Sequence, residues 1–313
     1  MKFDLVKHIV QEADETTKLY LFQFLDMINT KEGHNLILSL LKSQLPSGGF
    51  PSKFDENIEG IKETCRNVLL LLACGIPINQ LNIQAAVNFL LNYQTEQGGW
   101  TENPKLSLPK TVVELSTKMA ITWLTADIVT LLRRIGLEKN EQYIKALNWL
   151  KNMQNERGSW PMFVRDSFKE DPDSTAQILF LMREIYGTDN PIWRKGIVNY
   201  ERFIDDLVID IERGYCTRDT GEKVPNDIYH LTHLLLSSLV DTRSRIEAGY
   251  DLTDIRVQKI VEAIIDSQTE NGGWIPFWSD KTDPIYSVLT LKLFVWLGVI
   301  NKEDLRKQLI NQI

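Results

Sequence analysis

Residues 94–100 read Gln94-Thr-Glu-Gln-Gly98-Gly99-Trp100, and the same pattern occurs four times in this 313-residue chain. Each copy has a Gln, three further residues, then Gly-Gly or Gly-Ser, and then an aromatic residue. The other copies are Gln44-Leu-Pro-Ser-Gly48-Gly49-Phe50, Gln154-Asn-Glu-Arg-Gly158-Ser159-Trp160 and Gln268-Thr-Glu-Asn-Gly272-Gly273-Trp274. A recurring pattern predicts stacked structural repeats, here with a unit of roughly 50 to 60 residues.

The copies lie between helical patterns of two different kinds. Before a copy the pattern is amphipathic, as in Tyr143 to Leu150, and after it the run is apolar on most faces, as in Ile178 to Met182. A helix that is apolar on most faces is buried on most faces. Amphipathic outer helices around buried inner ones predict an all-α fold, a closed double ring of about six helical hairpins.

The repeats set the predicted boundaries. We predict a single barrel domain over residues 1–313, with terminal helices at 1–33 and 301–313. The five hairpins are predicted at 35–75, 82–136, 140–187, 191–240 and 257–298, and the fourth lacks the motif. Glycine just past a helix end supplies a left-handed cap, and four second helices end in this way, at Gly75, Gly136, Gly187 and Gly298.

Composition limits the classes of partner and compartment. A net charge of −7 and a pI near 5.3 argue against nucleic acid as a partner, because phosphate binding needs a basic surface. The three cysteines, Cys65, Cys74 and Cys216, indicate reduced thiols rather than a disulfide framework. No signal peptide or transmembrane segment is apparent, so we expect a cytoplasmic protein.

The repeated motif itself is interpreted as structural. Its glycines let the chain leave the outer helix in conformations that other residues resist, and its Gln can bond backbone groups at the junction. The aromatic residue can then cover that junction. Trp100, Trp160 and Trp274 are therefore not expected to be catalytic.

The motif nevertheless resembles a family signature. The Gln-x3-Gly-Gly-Trp spacing resembles the QW repeat of triterpene cyclases and of the β domain of class II terpene cyclases. Protein prenyltransferase β subunits carry a variant that Gly48-Gly49-Phe50 resembles. The resemblance covers roughly residues 35 to 298. It implies an α6/α6 (α/α) toroid barrel in which the N-termini of the inner helices line a deep apolar cavity.

One inner-helix N-terminus carries candidate catalytic residues. Asp171-Pro-Asp173-Ser174-Thr-Ala resembles the class II cyclase signature D-x-D-D-T-A, with Ser174 in place of the last Asp. The resemblance implies that Asp173 is the general acid that protonates an alkene or epoxide. A neighbouring carboxylate such as Asp171 would raise its pKa. The alternative is that both acids cap the helix.

Further residues at the predicted mouth are expected to bind substrate. Aromatic faces stabilise cations by up to about 2 kcal/mol each when desolvated, although buried aromatics more often serve packing alone. The candidates are six aromatic residues together with a His and an Asp at the same predicted ring of inner-helix N-termini. They are Trp123, Phe163, Tyr229, His230, Phe277, Trp278, Asp283 and Tyr286.

A zinc site is the alternative to this interpretation. Prenyltransferases hold zinc with Asp, Cys and His, and Asp227 and His230 resemble the His-bearing segment. The Asp-x-Cys partner is missing, because Ile285 stands where Cys belongs. Cys216, Asp227 and either His230 or His233 could still give three ligands. We expect no zinc and no other cofactor, with Mg²⁺ expected only beside a diphosphate substrate.

Three functions remain open from the sequence. The first is a class II-like terpene cyclase that cyclises a linear isoprenoid, with a prenyl diphosphate held by loop cations as the first candidate substrate. These cations are Lys110, Arg165, Lys169, Arg218, Lys223 and Lys281. The second is a prenyltransferase-like subunit, and the third is a non-catalytic α/α-barrel binding module. Familiar class II cyclases form the cavity between two barrels, so this chain either closes its own pocket or needs a homo-oligomer or partner chain.

Overall fold

The computed structural model describes residues 5–108, 114–163, 170–217, 223–225, 251–275 and 281–312. These form two compact units, which we call the central unit, Asp26–Gly196, and the terminal unit, Met1–Leu25 with Ile197–Ile313. The prediction of a single barrel domain over residues 1–313 stays a prediction.

Within these ranges the chain is mainly helical. The helices are α1 Leu5–Glu12, α2 Glu15–Phe24, α3 Lys31–Lys42, α4 Ile61–Ala73, α5 Leu81–Asn92, α6 Thr122–Arg134, α7 Glu141–Asn152, α8 Pro172–Tyr186, α9 Pro191–Arg213, α10 Ile255–Asp266, α11 Pro284–Trp296 and α12 Lys302–Ile310. A short 3-10 helix spans Glu114–Thr117. The strands are β1 Phe50–Ser52, β2 Asp55–Gly60, β3 Tyr215–Thr217 and β4 Lys223–Pro225, which pair antiparallel as β1 with β2 and β3 with β4.

The predicted hairpins correspond closely to these helices. The pairs α3–α4, α5–α6 and α7–α8 fill the first three predicted repeats, and α10–α11 fills the fifth. The first repeat begins earlier than expected, at Lys31, because the side chain of Thr30 caps α3 by accepting the Gly33 N–H. The second half of the fourth repeat, 226–240, lies outside the described residues. The four glycines predicted to end second helices all have positive φ, between 73° and 85°.

The motif glutamine joins consecutive repeats. Gln94 Nε2 donates to the carbonyl of Gly98 within its own copy and to the carbonyl of Gln142 at the start of α7, both at 2.8 Å. The indole Nε1 of Trp100 donates to the Leu90 carbonyl at 2.7 Å, and this ring is fully buried. The other copies repeat these bonds: Gln44 with Gly48 and Asn82, Gln154 with Gly158 and Ile192, Gln268 with Gly272, Trp160 with Leu150, and Trp274 with Ile264.

The first motif glycine is required by geometry. Gly98 has φ of 110°, and a Cβ there would lie 3.0 Å from the backbone oxygen of Lys145 in α7. Gly48 and Gly158 approach the next outer helix in the same way. The structural interpretation of the motif is therefore confirmed for the described copies.

The terminal unit contains both ends of the chain. Helices α1 and α2 pack against α11, and α12 packs against α1. The Arg306 side chain of α12 donates to the carbonyl of Leu25 at 2.8 Å. In α11 the ammonium of Lys292 lies 5.7 Å from the ring centroid of Tyr20 and 5.8 Å from that of Phe24.

Candidate active site

Backbone hydrogen bonds set a common register for the inner helices. The N–H of Ile121 donates to the carbonyl of Trp100 at 2.8 Å, and the N–H of Asp171 donates to the carbonyl of Trp160 at 3.0 Å. Phe50 pairs with Gly60 at the equivalent place in the first repeat. These partners are the N-caps of α4, α6 and α8, so residues at equal distance from them lie at the same level.

Four residues after each cap a threonine fixes the motif aromatic. Thr125 Oγ1 accepts the backbone N–H of Trp100 at 3.0 Å, and Thr175 Oγ1 accepts that of Trp160 at 2.9 Å. Thr64 accepts from Phe50 in the same manner, at 2.8 Å. The Thr-Ala part of the Asp-Pro-Asp-Ser-Thr-Ala segment therefore serves packing at the repeat junction.

Asp171 occupies the N-cap of α8. Its Oδ2 accepts the backbone N–H of Ser174 at 2.9 Å and also the Ser174 hydroxyl. Burial raises the pKa of Asp171, and the hydrogen bonds from Ser174 oppose that rise. Asp283 caps α11 in the same way, accepting the Ile285 N–H at 3.0 Å, and a proline follows both acids. The geometry of both carboxylates is that of helix capping.

Asp173 follows as the second residue of α8, and its side chain lies outside the described residues. Its backbone position puts it two residues past the cap, at the level of Lys62 in α4 and Trp123 in α6. Helix α6 packs against both α4 and α8, so these three positions belong to neighbouring helices of the central unit.

The inner helices of the central unit share one partly open stripe, which we call the open face. In α6 it comprises Trp123, Asp127 and Thr130, while the residues between them, 124–126 and 128–129, are buried. The matching positions in the neighbouring helices are also partly or fully exposed, at Lys62, Arg66 and Leu69 in α4 and at Gln177 and Phe180 in α8. Asp173 precedes Gln177 by four residues and continues this stripe along α8.

The sequence reasoning missed Asp127, which lies one turn after Trp123. Its side chain is 17% exposed, and its Oδ2 lies 3.8 Å from Nε of Arg66. The Arg66 guanidinium lies 5.5 Å from the Trp123 ring centroid. Burial raises the pKa of Asp127, and the positive charge of Arg66 opposes that rise. In the sequence, Asp127 could have been noticed as the one acid of α6, whose middle is otherwise made of apolar residues and threonines.

Gln177 adds an acceptor at the same level as Arg66 and Asp127. Its Oε1 is buried and has no hydrogen-bond partner among the described residues. Buried polar atoms in native proteins are nearly always hydrogen-bonded. The donor for this oxygen is therefore to be sought beyond the described residues.

Glu102 was also missed, and it holds the start of α4 from a different repeat. The N-cap of α4 is Gly60, which has no side chain to cap with. Glu102 accepts the backbone N–H of Ile61 at 2.5 Å, that of Lys62 at 3.3 Å and that of Asn103 at 2.9 Å. No local pattern signals this role, because the contact spans 41 residues.

The other residues predicted to contact substrate are either buried or outside the described residues. Phe163 is fully buried, and its backbone forms an isolated antiparallel β-bridge with Ile121. Tyr286 is 7% exposed and is one of the buried residues of α11. The remaining candidates Tyr229, His230, Phe277 and Trp278 lie outside the described residues.

Most of the proposed zinc ligands lie outside the described residues. Asp227 and His233 also lie outside the described residues, as does the side chain of Cys216. Among the residues that can be searched, no group of three or more His, Cys, Asp or Glu side chains is arranged to hold a metal ion. In that same part of the chain no helix is both long and apolar enough to cross a membrane. Of the predicted loop cations, Lys281 is described and is exposed.

The sequence matches the models of two known families. The model of the prenyltransferase alpha-alpha toroid domain matches residues 100–283, more than half of the chain, and that of the squalene-hopene cyclase C-terminal domain matches residues 13–162. The protein belongs to the prenyltransferase alpha-alpha toroid domain family. The predicted fold class, an α/α toroid of helical hairpins, and the resemblance to the class II cyclase superfamily are thus confirmed.

Individual relatives agree with this assignment. Squalene–hopene cyclase of Zymomonas mobilis is 29% identical over 160 residues, which are 49% of this chain and 22% of that enzyme. The chain therefore spans well under half the length of this curated relative.

Solved structures share the fold at lower identity. The type II terpene cyclase MstE from Scytonema matches with a TM-score of 0.57 and 14% identity, covering 91% of this chain and 88% of that one. A variant of MstE has been solved with its substrate geranylgeranyl dihydroxybenzoate. A protein from Actinoplanes matches with a TM-score of 0.59 and 14% identity, covering 94% of this chain and 98% of that one.

Proposed function

We propose that this protein is a class II-like terpene cyclase that cyclises a linear isoprenoid by protonation from Asp173. The observation that carries the proposal is the Asp-Pro-Asp-Ser-Thr-Ala segment at the N-terminus of α8, an inner helix. Its second acid stands at the level of Trp123, on the stripe that continues to Gln177. The family membership supports the same assignment.

The chemistry places clear demands on Asp173. Its carboxyl proton goes to one carbon of a terminal alkene, whose π electrons form the new C–H bond and leave a tertiary cation. The next alkene attacks that cation and closes a ring, while Asp173 is left as a carboxylate that must be reprotonated. Such an acid has to be held neutral in a water-poor site. Trp123 stands at the same level on α6 and would face the developing charge.

Ser174 replaces the third acid of the cyclase signature. Its hydroxyl donates to Asp171, so the pair Asp171–Ser174 forms a local unit at the helix start. In the proposed mechanism this unit positions the first turn of α8 and thereby Asp173. Asp171 is consequently a positioning residue rather than the proton donor.

The similarity to MstE supports a cyclase whose chain has no second barrel. This chain matches 88% of the length of MstE, which is itself a type II terpene cyclase. Because MstE acts on geranylgeranyl dihydroxybenzoate, a C20 isoprenoid with a polar head group is the first substrate class to test. Whether the head group is a diphosphate decides whether Mg²⁺ is required.

The test is incubation with geranyl, farnesyl and geranylgeranyl diphosphate and with geranylgeranyl dihydroxybenzoate, followed by mass spectrometry. We expect a cyclised product that retains its head group. Asp173→Asn should lower turnover by about 10⁴-fold or more, at the upper end of general acid catalysis, because the reaction starts with that proton. Asp171→Asn should cost much less, since Asn caps a helix about as well as Asp.

Asp189→Asn is the matched control, because the Asp189 side chain is 94% exposed. Full activity in Asp173→Asn would end the mechanism as assigned.

The second candidate is a prenyltransferase-like activity, which the prenyltransferase model matched to residues 100–283 favours. Release of pyrophosphate with transfer of the isoprenyl group to an acceptor would identify it. Elemental analysis giving one zinc per chain would point to the same function and to Cys216, Asp227 and His230.

A further inference from the structure

The open face of the central unit carries a carboxyl group that the proposed initiation step does not use. Asp127 projects from the middle of α6, where the residues around it are apolar and buried. It is not a helix cap, and its ion pair with Arg66 joins α6 to α4. The residue lies on the same stripe as Trp123, four residues further along the helix, or about 6 Å along its axis.

The groups around Asp127 are charged or polar, and two of them are hydrogen-bond acceptors. The carboxylate is paired with Arg66, whose guanidinium lies 5.5 Å from the Trp123 ring centroid. At the same level on α8 lies Gln177 Oε1, which has no hydrogen-bond partner among the described residues. A hydrocarbon chain offers these acceptors no hydrogen-bond donor. A carbocation offers them charge and acidic C–H bonds. Such groups therefore favour the cationic intermediates over the bound substrate.

Resting on the proposed function, we propose that Asp127 is the base that ends the cyclisation by removing a proton from the carbon beside the last cationic centre. The C–H electron pair becomes the new C=C bond, the positive charge is cancelled, and the proton moves to a carboxylate oxygen of Asp127. One proton enters from Asp173 and one leaves to Asp127, so the overall reaction is an isomerisation without any co-reactant. Loss of the proton to bulk water resets Asp127.

The surroundings of Asp127 fit a base. Burial makes the carboxylate more basic, because its pKa is raised, and the guanidinium of Arg66 favours the ionised form that must accept a proton. The separation of about 6 Å from the level of Asp173 places the acceptor away from the donor. Charge that migrates along the growing ring system can thus reach the base without returning to the starting acid.

The test compares products as well as rates in Asp127→Asn, Asp127→Glu and the control Asp189→Asn. Asp127→Asn should still consume substrate, but formation of the alkene product should fall by about 10²-fold or more, the lower end of general base catalysis. In its place we expect alcohols formed by water capture, or partly cyclised products. Asp127→Glu should restore part of the alkene. Asp127→Ser provides a second variant without a carboxylate, should the Asn variant fold poorly.

The outcomes separate this inference from the proposed function. An unchanged product distribution in both Asp127→Asn and Asp127→Ser would overturn it, and so would complete loss of substrate consumption in both folded variants. A wild-type product that is an alcohol without a new alkene would overturn it too, while leaving the cyclase assignment in place. A wild-type protein that consumes no isoprenoid would refute the proposed function, and the role of Asp127 with it.

Discussion

Replacing Glu102 tests whether one buried carboxylate holds the first turn of an inner helix. Glu102 is 7% exposed and accepts three backbone N–H groups, two of which begin α4. Glu102→Ala leaves these donors without an acceptor. Unsatisfied buried donors cost about 1–3 kcal/mol each, and Ile61 and Asn103 are both fully buried. We therefore expect a loss of about 2–6 kcal/mol in the free energy of unfolding.

The measurement is urea unfolding followed by far-UV circular dichroism. Glu102→Gln keeps one acceptor oxygen and should lose less stability than Glu102→Ala. Glu96→Ala is the matched control, because Glu96 is exposed in the preceding motif turn and should change stability by about 0.5 kcal/mol or less. A loss in Glu102→Ala no larger than that of the control would refute the reasoning.

The pH dependence gives a second check on Glu102. Burial and the nearby Glu63 carboxylate raise the pKa of Glu102, so the folded state holds its proton more tightly than the unfolded state. The contribution of this proton to the free energy of unfolding is complete below the pKa of Glu102 in the unfolded state. It is lost as pH rises through the pKa of Glu102 in the folded state. In Glu102→Gln this fall in stability should be absent. The measurement is urea unfolding of the wild type and of Glu102→Gln at several acidic pH values.

Two further predictions concern the backbone and a buried amine. Gly98→Ala should destabilise by about 1–3 kcal/mol in thermal or urea unfolding, because φ is positive and the new Cβ would lie 3.0 Å from a backbone oxygen. Gly75→Ala, with positive φ but open space around it, should cost less, and equal losses would show that the close approach is unimportant. Burial and a neighbouring lysine lower the pKa of Lys292 to about 8, so stability should rise with pH from about 8 towards the ordinary lysine value. Lys292→Met should abolish that rise, and the persistence of the same rise in the variant would contradict the assignment.

The helical repeats could be predicted because their signals are local. Gly75 and Gly136 follow helix ends at positive φ, as expected, and Gln94 bonds the next repeat as its motif suggested. These residues act through chain geometry within a few positions or through a contact that every copy repeats. Periodicity therefore revealed both the hairpins and their junctions.

The candidate site could be predicted only in part. Asp171 and Asp283 were correctly placed at the starts of inner helices, but the structure gives both the geometry of caps. Asp127 and Glu102 were overlooked, since their environments come from other repeats. Asp173 remains a prediction that rests on the sequence segment and on its backbone level.

The sequence by itself determined the repeat unit, the inner and outer helices and the family, because glycine caps and apolar periodicity act over short stretches of chain. Only the tertiary structure decided which side chains share a level on the open face of the central unit. Arg66 and Asp127 are 61 positions apart in sequence, yet packing of α4 against α6 makes them an ion pair. A carboxylate's basicity depends on burial and on neighbouring charges, and packing between repeats alone sets both.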